Sequence, residues 1–286
     1  MNFVSMQEMY DDMTAWERQL PVFDAVCGVP RSGLLPASYI AMRRNIRLVE
    51  LTDLLKQPEG AIARAPLRSS NPIIKYKREY KNRLLIVDDS SSTNSVTFTD
   101  LREKLKDQTS LDIKYGVLYR GADNGKVDYH YRDVTLPRVF GWNWYRHWWI
   151  QFAYFDMDGV ICEDWKGDPE QDKDPAFLNH VKTAQPLYIP HLPIKAVVTS
   201  RLERYRAETE DWLRRHNVHY GSLIMHPAKS PDERRRMMDH AKRKAKVYAA
   251  DRKGKLFVES DIRQAREINK ITSRPVLCVD TMEMLN

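Results

Sequence analysis

The chain has 286 residues, of which 42% are hydrophobic and 30% charged, a composition typical of a globular protein long enough for about two domains. No apolar run approaches the roughly 18 residues that a membrane span needs, and the first residues lack the pattern of a signal peptide. Three scattered cysteines exclude a disulfide framework or a zinc site, and the net charge of +7 favours anionic ligands. We therefore expect a cytoplasmic protein that does not bind membranes and whose anionic ligands are either phosphates or nucleic acid.

The first elements form a helix, a strand and an anion-binding loop. Apolar residues at helical spacing predict an amphipathic helix over residues 3–19. The short apolar segment 24–29 predicts a strand, which runs into the loop 30–33 and then a helix at 34–41. A loop between a strand and a helix offers free backbone N–H groups to an anion, and Arg31 adds a guanidinium suited to phosphate oxygens.

A second strand end carries two acids. Residues 84–87 read Leu-Leu-Ile-Val, the composition of a buried parallel strand, and Asp88 and Asp89 follow directly. Two acids at a strand end can accept hydrogen bonds from a vicinal diol, and the hydroxyl residues beyond them can wrap a phosphate at a helix start. The alternative is a helix start capped by serine or threonine. The hydroxyl and amide residues concerned are Ser92, Thr93, Asn94 and Ser95.

These motifs resemble those of the type I phosphoribosyltransferases. Residues 87–95 are similar to the phosphoribosyl diphosphate signature of that family, and residues 28–33 are similar to its diphosphate loop, so that the resemblance covers about residues 1–145. It implies that Asp88 and Asp89 hold the ribose hydroxyls and that residues 92–95 cradle the 5-phosphate. The residues implied for the diphosphate are Arg31, Ser32 and Gly33.

The chain departs from the family pattern at three positions. Ser90 and Ser91 replace the usual hydrophobic residues, and Asn94 stands where glycine is expected. Between the two motifs, the family has a mobile loop that closes over the diphosphate. The basic residues at this place are either charge donors to a leaving diphosphate or part of a solvated loop. They are Lys75, Lys77 and Arg78.

An aromatic segment follows two further strands, predicted at residues 113–119 and 127–131, the second of them an edge strand. Four of the seven tryptophans lie in residues 140–149. Such a segment either packs two domains together or stacks on a flat ligand. The resemblance implies that the segment forms a hood over the base, on which Trp142 or Phe140 stacks. Because the segment is too apolar for a linker, we place the domain boundary near residue 149, between domains 1–149 and 150–286.

The second half begins with an apolar run that ends in Asp156-Met157-Asp158-Gly159-Val160. The run predicts a buried strand, and the carboxyl end of a strand is where ligands bind in an open α/β sheet. Two adjacent acids repel each other unless a cation lies between them, and Mg²⁺ prefers carboxylate oxygens. The alternative is a turn with two solvated acids.

Four further polar groups follow, mostly at predicted strand ends. A strand at residues 194–198 ends at a hydroxyl residue, and a strand at 255–258 ends at two acids. A lysine in a helical pattern between them can reach the same crevice. We expect a charged helix at residues 201–215. The polar groups are Thr199, Lys244, Glu259 and Asp261.

This order resembles that of the haloacid dehalogenase superfamily of phosphatases, over residues 150–286. The resemblance implies that Asp156 attacks phosphorus to form an aspartyl phosphate and that Asp158 serves as general acid and base. Thr199 and Lys244 are implied to steady the phosphoryl oxygens, with Lys242 and Lys246 as alternatives to Lys244. The implied ligands of Mg²⁺ are Asp156, the main-chain carbonyl of Asp158, and Glu259 or Asp261.

Two features bear on the substrate. Residues 161–193 are too few for a cap domain with its own core, which predicts an open site. Basic residues concentrate between Arg201 and Lys255, either as solvated helix faces or as a nucleic-acid footprint, although no nucleic-acid motif accompanies them.

The sequence thus predicts two α/β domains, a phosphoribosyltransferase-type parallel sheet followed by a capless, Rossmann-like sheet of the haloacid dehalogenase type. The favoured function joins phosphoribosyl transfer from phosphoribosyl diphosphate to a base-like acceptor with Mg²⁺-dependent hydrolysis of a phosphate monoester. One alternative is a phosphatase gated by a non-catalytic, nucleotide-sensing first domain. Another is a phosphatase that processes nucleic-acid ends. The acceptor and the oligomeric state stay open.

Overall fold

The chain forms two compact units in the computed structural model. The first unit comprises Asn2 and residues 4–138, and the second comprises Met1, Phe3 and residues 139–286. The structure describes residues 1–65, 82–91, 97–107, 109–121, 127–167 and 175–286. No helix in these ranges is both long enough and apolar enough to cross a bilayer.

Up to residue 140 the described elements alternate between strands and helices. They are β1 (Asn2–Val4), α1 (Met6–Gln19), β2 (Ala25–Gly28), α2 (Leu34–Arg44), β3 (Arg47–Val49), α3 (Leu51–Lys56), α4 (Ala61–Arg64), β4 (Arg83–Ser91), α5 (Thr97–Leu105), β5 (Asp112–Arg120), β6 (Tyr129–Asp133) and β7 (Arg138–Phe140). Strands β1 and β7 form a separate two-stranded sheet.

The sheet of the first unit is parallel throughout and has the order β3-β2-β4-β5-β6. The chain passes from β2 to β3 on one side and then to β4 on the other, so the strand order reverses between β2 and β4. Ligands of open α/β sheets bind in the crevice at such a reversal, outside the carboxyl ends of the strands. As expected, the strand near residues 127–131 lies at the edge, as β6.

Two elements of the first unit differ in extent from the predictions. Helix α1 begins at Met6 because Ser5 and Glu8 form a capping box, in which each side chain accepts a hydrogen bond from the backbone N–H of the other. Strand β4 does not stop before Asp88 but continues to Ser91, because β5 pairs with it along its whole length, up to Arg120 opposite Ser91. A hydrophobicity pattern cannot detect such pairing of polar residues.

The second unit contains the remaining elements. They are β8 (Ala153–Phe155), α6 (Pro175–Thr183), β9 (Ile194–Leu202), α7 (Arg206–Arg215), β10 (Tyr220–His226), α8 (Pro231–Met237), α9 (His240–Ala250), β11 (Leu256–Glu259), α10 (Ile262–Thr272), β12 (Val276–Cys278) and β13 (Glu283–Leu285), with 3₁₀ turns at Trp144–Arg146, Trp148–Phe152 and Glu203–Tyr205. Residues 201 and 202, predicted in a helix, belong to β9 because β10 pairs with that strand up to Leu202.

The sheet of the second unit has the order β10-β9-β8-β11-β12-β13, with only β13 antiparallel. The chain moves outward from β8 to β10 and then returns to β11 on the other side of β8. The strand order therefore reverses at β8, the strand that leads into Asp156. Alternate residues of β9 enter the cores on the two faces, such as Val197 on one face and Val198 on the other.

The unit boundary falls between residues 138 and 139, whereas the sequence placed it near residue 149. The aromatic segment between these positions belongs to the second unit. Trp144 and Ile150 are buried in the same core as Phe155, and the rings of Trp144 and Phe155 stack at 5.9 Å between centroids. Burial of these side chains assigns the segment to the second core.

Candidate active site

Asp156 lies at the centre of the polar cluster in the second unit. It follows β8 directly, and its N–H donates a 2.9 Å hydrogen bond to the carbonyl of Val258 in β11. Its Oδ1 accepts from the N–H of Met157 at 2.8 Å, and its Oδ2 lies 2.6 Å from Nζ of Lys244. Only 6% of the residue is exposed, so one carboxylate is held at the reversal point of the sheet by a backbone donor and a cation.

Lys244 brings α9, β8 and β11 together. Besides Asp156, its Nζ contacts Oε2 of Glu259 at 2.6 Å and Oε1 of Gln264 at 3.1 Å, and the residue is 1% exposed. The two neighbouring candidates, Lys242 and Lys246, are exposed on the same helix. Helical geometry decides between the three lysines, since the i, i+4 neighbours Ala241 and Ala245 belong to the buried face and positions 242 and 246 do not.

Two carboxylates share this one ammonium group. Burial raises the pKa of Asp156 well above its usual range, the charge of Glu259 adds to the rise, and Lys244 opposes it. The pKa of Lys244 is raised despite burial because Asp156 and Glu259 both favour the ammonium form. Two ionised carboxylates beside one ammonium group would leave one negative charge in excess, which either a proton on Asp156 or a further cation would offset.

Asp158 makes a forked ion pair with Arg201. Nη2 of Arg201 lies 2.5 Å from Oδ1, and Nε lies 2.9 Å from Oδ2. Burial raises the pKa of Asp158, but the charge of Arg201, together with the nearby His180, outweighs burial and holds the pKa well below its usual range. Nε2 of His180 lies 3.6 Å from Oδ1. Asp158 is thus an ionised, oriented carboxylate beside Asp156.

Arg201 is a residue of the site that the sequence interpretation missed. It is 1% exposed; its Nη2 also lies 3.3 Å from Sγ of Cys162, and its Nη1 lies 3.5 Å from Oγ1 of Thr209. The prediction placed Arg201 at the start of a helix. The available signal was the two-residue period of a strand, which would have placed Arg201 on the same face as Thr199.

The other predicted residues of the second unit take different places. Thr199 is fully buried, and its hydroxyl accepts a hydrogen bond from the N–H of Arg201 at 3.1 Å. Oε1 of Glu259 accepts from the N–H of Ser260 at 3.0 Å. Asp261 is the N-cap of α10, accepting from the N–H of Arg263 at 2.7 Å. Of the two acids considered as metal ligands, Glu259 contacts Lys244, and Asp261 caps a helix.

The donor set fits Mg²⁺ in the way that Mg²⁺ commonly binds, through one or two carboxylates together with water and substrate phosphate oxygens. The carboxylate of Asp156 and the carbonyl of Asp158 are hard oxygen donors next to the excess negative charge. The hydroxyl of Ser260 lies 3.4 Å from that carbonyl. Within the described ranges, no group of three or more histidine, cysteine, aspartate or glutamate residues is arranged to hold a metal ion.

The first unit brings its two predicted motifs together at the reversal between β2 and β4. Gly28 lies opposite Val87 in the parallel pairing, and the N–H of Val29 donates to the carbonyl of Val87 at 2.8 Å. A Cβ atom on Gly33 would lie 2.6 Å from that carbonyl oxygen and 2.9 Å from Cα of Asp88, so only glycine fits there. Gly33 therefore lies beside Val87 and Asp88, within β4.

Asp88, which is half-buried, and Asp89, which is buried, form a carboxylate pair next to this loop. Oδ1 of Asp88 accepts from the N–H of Asp89 at 2.8 Å, and Asp89 is 5% exposed. Burial and the charge of Asp89 raise the pKa of Asp88 to about 8. Among the residues that the structure describes, no lysine or arginine makes an ion pair with Asp88.

The remaining predicted ligands of the first domain lie elsewhere. Trp142 stacks on Phe140 at 4.7 Å between ring centroids, within the second unit. Its role toward a base stays a prediction. The predicted phosphate-loop and basic-loop residues lie outside the described residues. They are Ser92, Thr93, Asn94, Ser95, Lys75, Lys77 and Arg78.

Part of the basic run in the second unit makes internal contacts. Arg234 donates to the carbonyl of Ser200 at 3.1 Å, and Arg243 donates to the carbonyl of Thr199 at 2.8 Å. Arg235 pairs with Asp232 on its own helix. These contacts favour a structural role for the three arginines over a nucleic-acid footprint.

No protein-family model matches the sequence, and no curated protein matches it. Solved structures do match. The purine phosphoribosyltransferase from Pyrococcus horikoshii Ot3 is 20% identical, and the match covers 49% of this chain and 92% of that one, with a TM-score of 0.35. The Helicobacter pylori xanthine-guanine-hypoxanthine phosphoribosyltransferase is 16% identical, with coverages of 49% and 90% and a TM-score of 0.35.

The orotate phosphoribosyltransferase from Aeropyrum pernix is 18% identical, with coverages of 44% and 69% and a TM-score of 0.28. About half of this chain is thus similar to solved phosphoribosyltransferases, at low identity and low TM-score, and we draw no functional conclusion from that likeness. The resemblance of residues 150–286 to haloacid dehalogenase phosphatases is not tested by these matches and stays a prediction.

Proposed function

We propose that the second unit hydrolyses phosphate monoesters through an aspartyl phosphate on Asp156. The observation that carries this proposal is the pair of 2.6 Å contacts from Lys244 to Asp156 and Glu259. Lys244 holds Oδ2 of Asp156 at the strand reversal, where ligands of α/β sheets bind. Oδ1 accepts a hydrogen bond only from the backbone N–H of Met157 among the described contacts, so no other side chain blocks it. A fixed carboxylate at such a place suits attack on phosphorus.

The reaction has two steps. First, a carboxylate oxygen of Asp156 forms a bond to phosphorus while the ester oxygen leaves with its electron pair and takes up a proton. Water then attacks the acyl phosphate, loses a proton, and releases inorganic phosphate and the free carboxylate. Lys244 orients Asp156, which is the nucleophile of the first step and the leaving group of the second, and its positive charge lies beside the transferring oxygens.

Asp158 is suited to the second step. Arg201 holds it ionised, and an ionised carboxylate is the state that accepts a proton from water. Donation of a proton to the leaving alcohol, which the family resemblance implies, requires the protonated form and stays a prediction. Mg²⁺ held by Asp156 and the carbonyl of Asp158 would supply positive charge to offset the phosphoryl oxygens.

The test is hydrolysis of a small chromogenic phosphate ester and of nucleoside monophosphates by the full chain. We expect activity with Mg²⁺ and its loss on addition of a chelator, restored by excess Mg²⁺. Trapping of acid-stable, base-labile label on the protein from a radiolabelled substrate would support the aspartyl phosphate. Full activity in the presence of chelator would contradict the Mg²⁺ dependence, and the absence of hydrolysis of every ester would contradict the proposal.

For the first unit we propose binding of phosphoribosyl diphosphate, with transfer of its phosphoribosyl group to a base-like acceptor. The contact of the 28–33 loop with Val87 and Asp88 of β4 supports this proposal, since an anion-binding loop and two acids suited to a ribose diol lie side by side. The two activities are chemically related, because the product of the first carries a 5-phosphate that the second could remove. Release of diphosphate with a panel of bases tests the transfer.

A second candidate function is favoured by Ser90 and Ser91. Both replace family hydrophobic residues, and both continue β4 in register with Tyr119 and Arg120. In this alternative the first unit binds the same ligand without turnover and regulates the phosphatase. Calorimetric binding without diphosphate release, together with a ligand-dependent rate of ester hydrolysis, would support regulation. Diphosphate release would support transfer.

A further inference from the structure

His240 occupies a defined place above the candidate phosphoryl site. Strands β10 and β11 run parallel in one sheet, so α9, which lies between them in sequence, returns in the opposite direction and begins at the carboxyl edge. His240 is its first residue and Lys244 follows four positions later on the same face. At 1.5 Å per residue, His240 lies about 6 Å further out along the helix axis than Lys244.

Several side chains fix His240 in this position. Its Nδ1 lies 2.8 Å from Oγ of Ser200, the residue directly after Thr199. The fully buried His226 holds Asp239, the residue before His240, through an Nε2–Oδ1 contact of 3.2 Å. Nδ1 of His226 accepts from the N–H of Ala228 at 3.2 Å, so both of its ring nitrogens are used within the fold.

Two arginines donate hydrogen bonds to the part of β9 that His240 contacts. Arg234 donates to the carbonyl of Ser200 and Arg243 to that of Thr199. Arg243 also donates to the carbonyl of Met225 at 2.9 Å, and it makes no ion pair with a carboxylate among the described residues. Thr199 and Ser200 of β9 therefore lie beside positive charge, whereas the acids Glu259 and Asp261 lie at the end of β11.

The imidazole of His240 has one nitrogen left for a ligand. Nε2 makes no hydrogen bond within the part of the chain that the structure describes, whereas Nδ1 contacts Ser200. Burial, and then the charges of Arg234 and Lys244, lower the pKa of His240 to about 4. The ring is therefore neutral at physiological pH, and when the Ser200 hydroxyl donates to Nδ1, the proton resides on Nε2.

We propose that His240, oriented by Ser200, is a specificity-determining residue whose Nε2–H binds a second anionic group of the substrate. This inference rests on the proposed phosphatase function and narrows its substrate class to phosphate monoesters with another phosphate or similar anion on the alcohol part, such as nucleoside bisphosphates. His240 lies one helical turn further from Asp156 than Lys244 does, and we therefore expect it to face the alcohol part of a bound ester. The positive charge of the neighbouring arginines favours an anionic group at that place.

The test compares three substrates with the full chain: a small aromatic phosphate ester, a nucleoside 5′-monophosphate and the matching nucleoside 3′,5′-bisphosphate. The variants are His240→Asn, which keeps a polar atom only near the Nδ1 position, and His240→Gln, which can place an amide near the Nε2 position. The matched control is His219→Asn, since His219 is an exposed histidine just before β10, at the opposite edge of the sheet.

We expect the wild type to prefer the bisphosphate over the monophosphate in kcat/KM. His240→Asn should reduce that ratio about tenfold or more, mainly through KM, because it removes a hydrogen bond to a charged group. His240→Gln should recover part of the ratio, and hydrolysis of the aromatic ester should stay within about threefold of the wild type. The inference would be overturned if the wild type showed no preference for the bisphosphate, or if His240→Asn left that preference unchanged. Hydrolysis of the aromatic ester would still support the phosphatase function in either case. Loss of all hydrolysis in the wild type would overturn both.

Discussion

Each unit places a pair of acids at the reversal point of a parallel sheet, yet the two pairs differ in their cations. In the second unit, Lys244 spans Asp156 and Glu259, and Arg201 holds Asp158. In the first unit, Asp88 lies against Asp89, and no described lysine or arginine makes an ion pair with Asp88. Lys244 thus contacts two acids of the second site directly, whereas Asp88 of the first site has no ion-pair partner among the described residues and Asp89 interacts with the charge of Arg138.

This difference teaches what each site can do alone. A carboxylate fixed by a lysine and flanked by an ionised neighbour is prepared for attack and proton transfer, so its chemistry resides in the protein. Asp88, whose pKa is raised to about 8, is suited to binding a ligand. Hydroxyl donors or positive charge from the ligand would stabilise its ionised form and offset the unfavourable effect of desolvation. We expect removal of side chains to abolish catalysis in the second unit and binding in the first.

The largest effect is expected from Asp156→Asn. The amide cannot attack phosphorus, so hydrolysis of a chromogenic phosphate ester should fall by about 10⁴-fold or more. Asp211→Asn, on the exposed face of α7, is the matched control and should keep wild-type rates. Circular dichroism reports the fold of both variants. Hydrolysis near the wild-type rate in a folded Asp156→Asn variant would disprove the aspartyl phosphate mechanism.

Lys244→Met tests the cation that distinguishes the second unit. It leaves two carboxylates without their shared partner, so we expect ester hydrolysis to fall about 10³-fold and the free energy of unfolding to fall by about 3–5 kcal/mol. Urea denaturation and steady-state kinetics measure the two effects. Lys246→Met, an exposed position of the same helix, should change neither. Lys244→Arg keeps the positive charge and therefore distinguishes the effect of charge loss from that of unfolding. If Lys244→Met kept activity within tenfold of the wild type, the cation would not be needed for catalysis.

The double variant Asp88→Asn with Asp89→Asn tests the receptor role of the first unit. It removes the acceptors proposed for the ribose hydroxyls, so affinity for phosphoribosyl diphosphate should fall about 100-fold in calorimetry. Hydrolysis of the chromogenic ester should stay at the wild-type rate, because Asp156 lies in a different sheet. Loss of both activities would show that the two sites do not function independently.

The smallest effect concerns pH. Asp88 ionises near pH 4 when unfolded and near pH 8 when folded, so between these values the folded state holds a proton that the unfolded state lacks. The free energy of unfolding of the first unit should therefore fall as pH rises from about 4 to 8. Hydrogen exchange of β2 and β4 amides at pH 5 and pH 8, corrected for intrinsic rates, measures this. Asp88→Asn should flatten the dependence, and Asp11→Asn, exposed on α1, should not.

Local patterns in the sequence determined much of the fold. Leu84–Val87 and Ala153–Phe155 are buried strand segments because runs of consecutive apolar residues suit the interior of a parallel sheet. The acids that follow these two runs, Asp88 and Asp156, lie at the strand reversals. The pattern also identified the residues of the 30–33 loop, which lies against β4 because Gly33 has no Cβ.

Only the tertiary structure decided the pairing of charges. The sequence left three lysines open, and the packing of Ala241 and Ala245 turned Lys244 toward Asp156. Arg201 joined Asp158 because β9 extends beyond its apolar stretch, since β10 pairs with it up to Leu202. The unit boundary moved ahead of Trp144 because that side chain is buried with Phe155. These contacts join residues that are distant in sequence, so a local hydrophobicity pattern does not predict them. Glycine turns and apolar strand segments, in contrast, are determined by neighbouring residues.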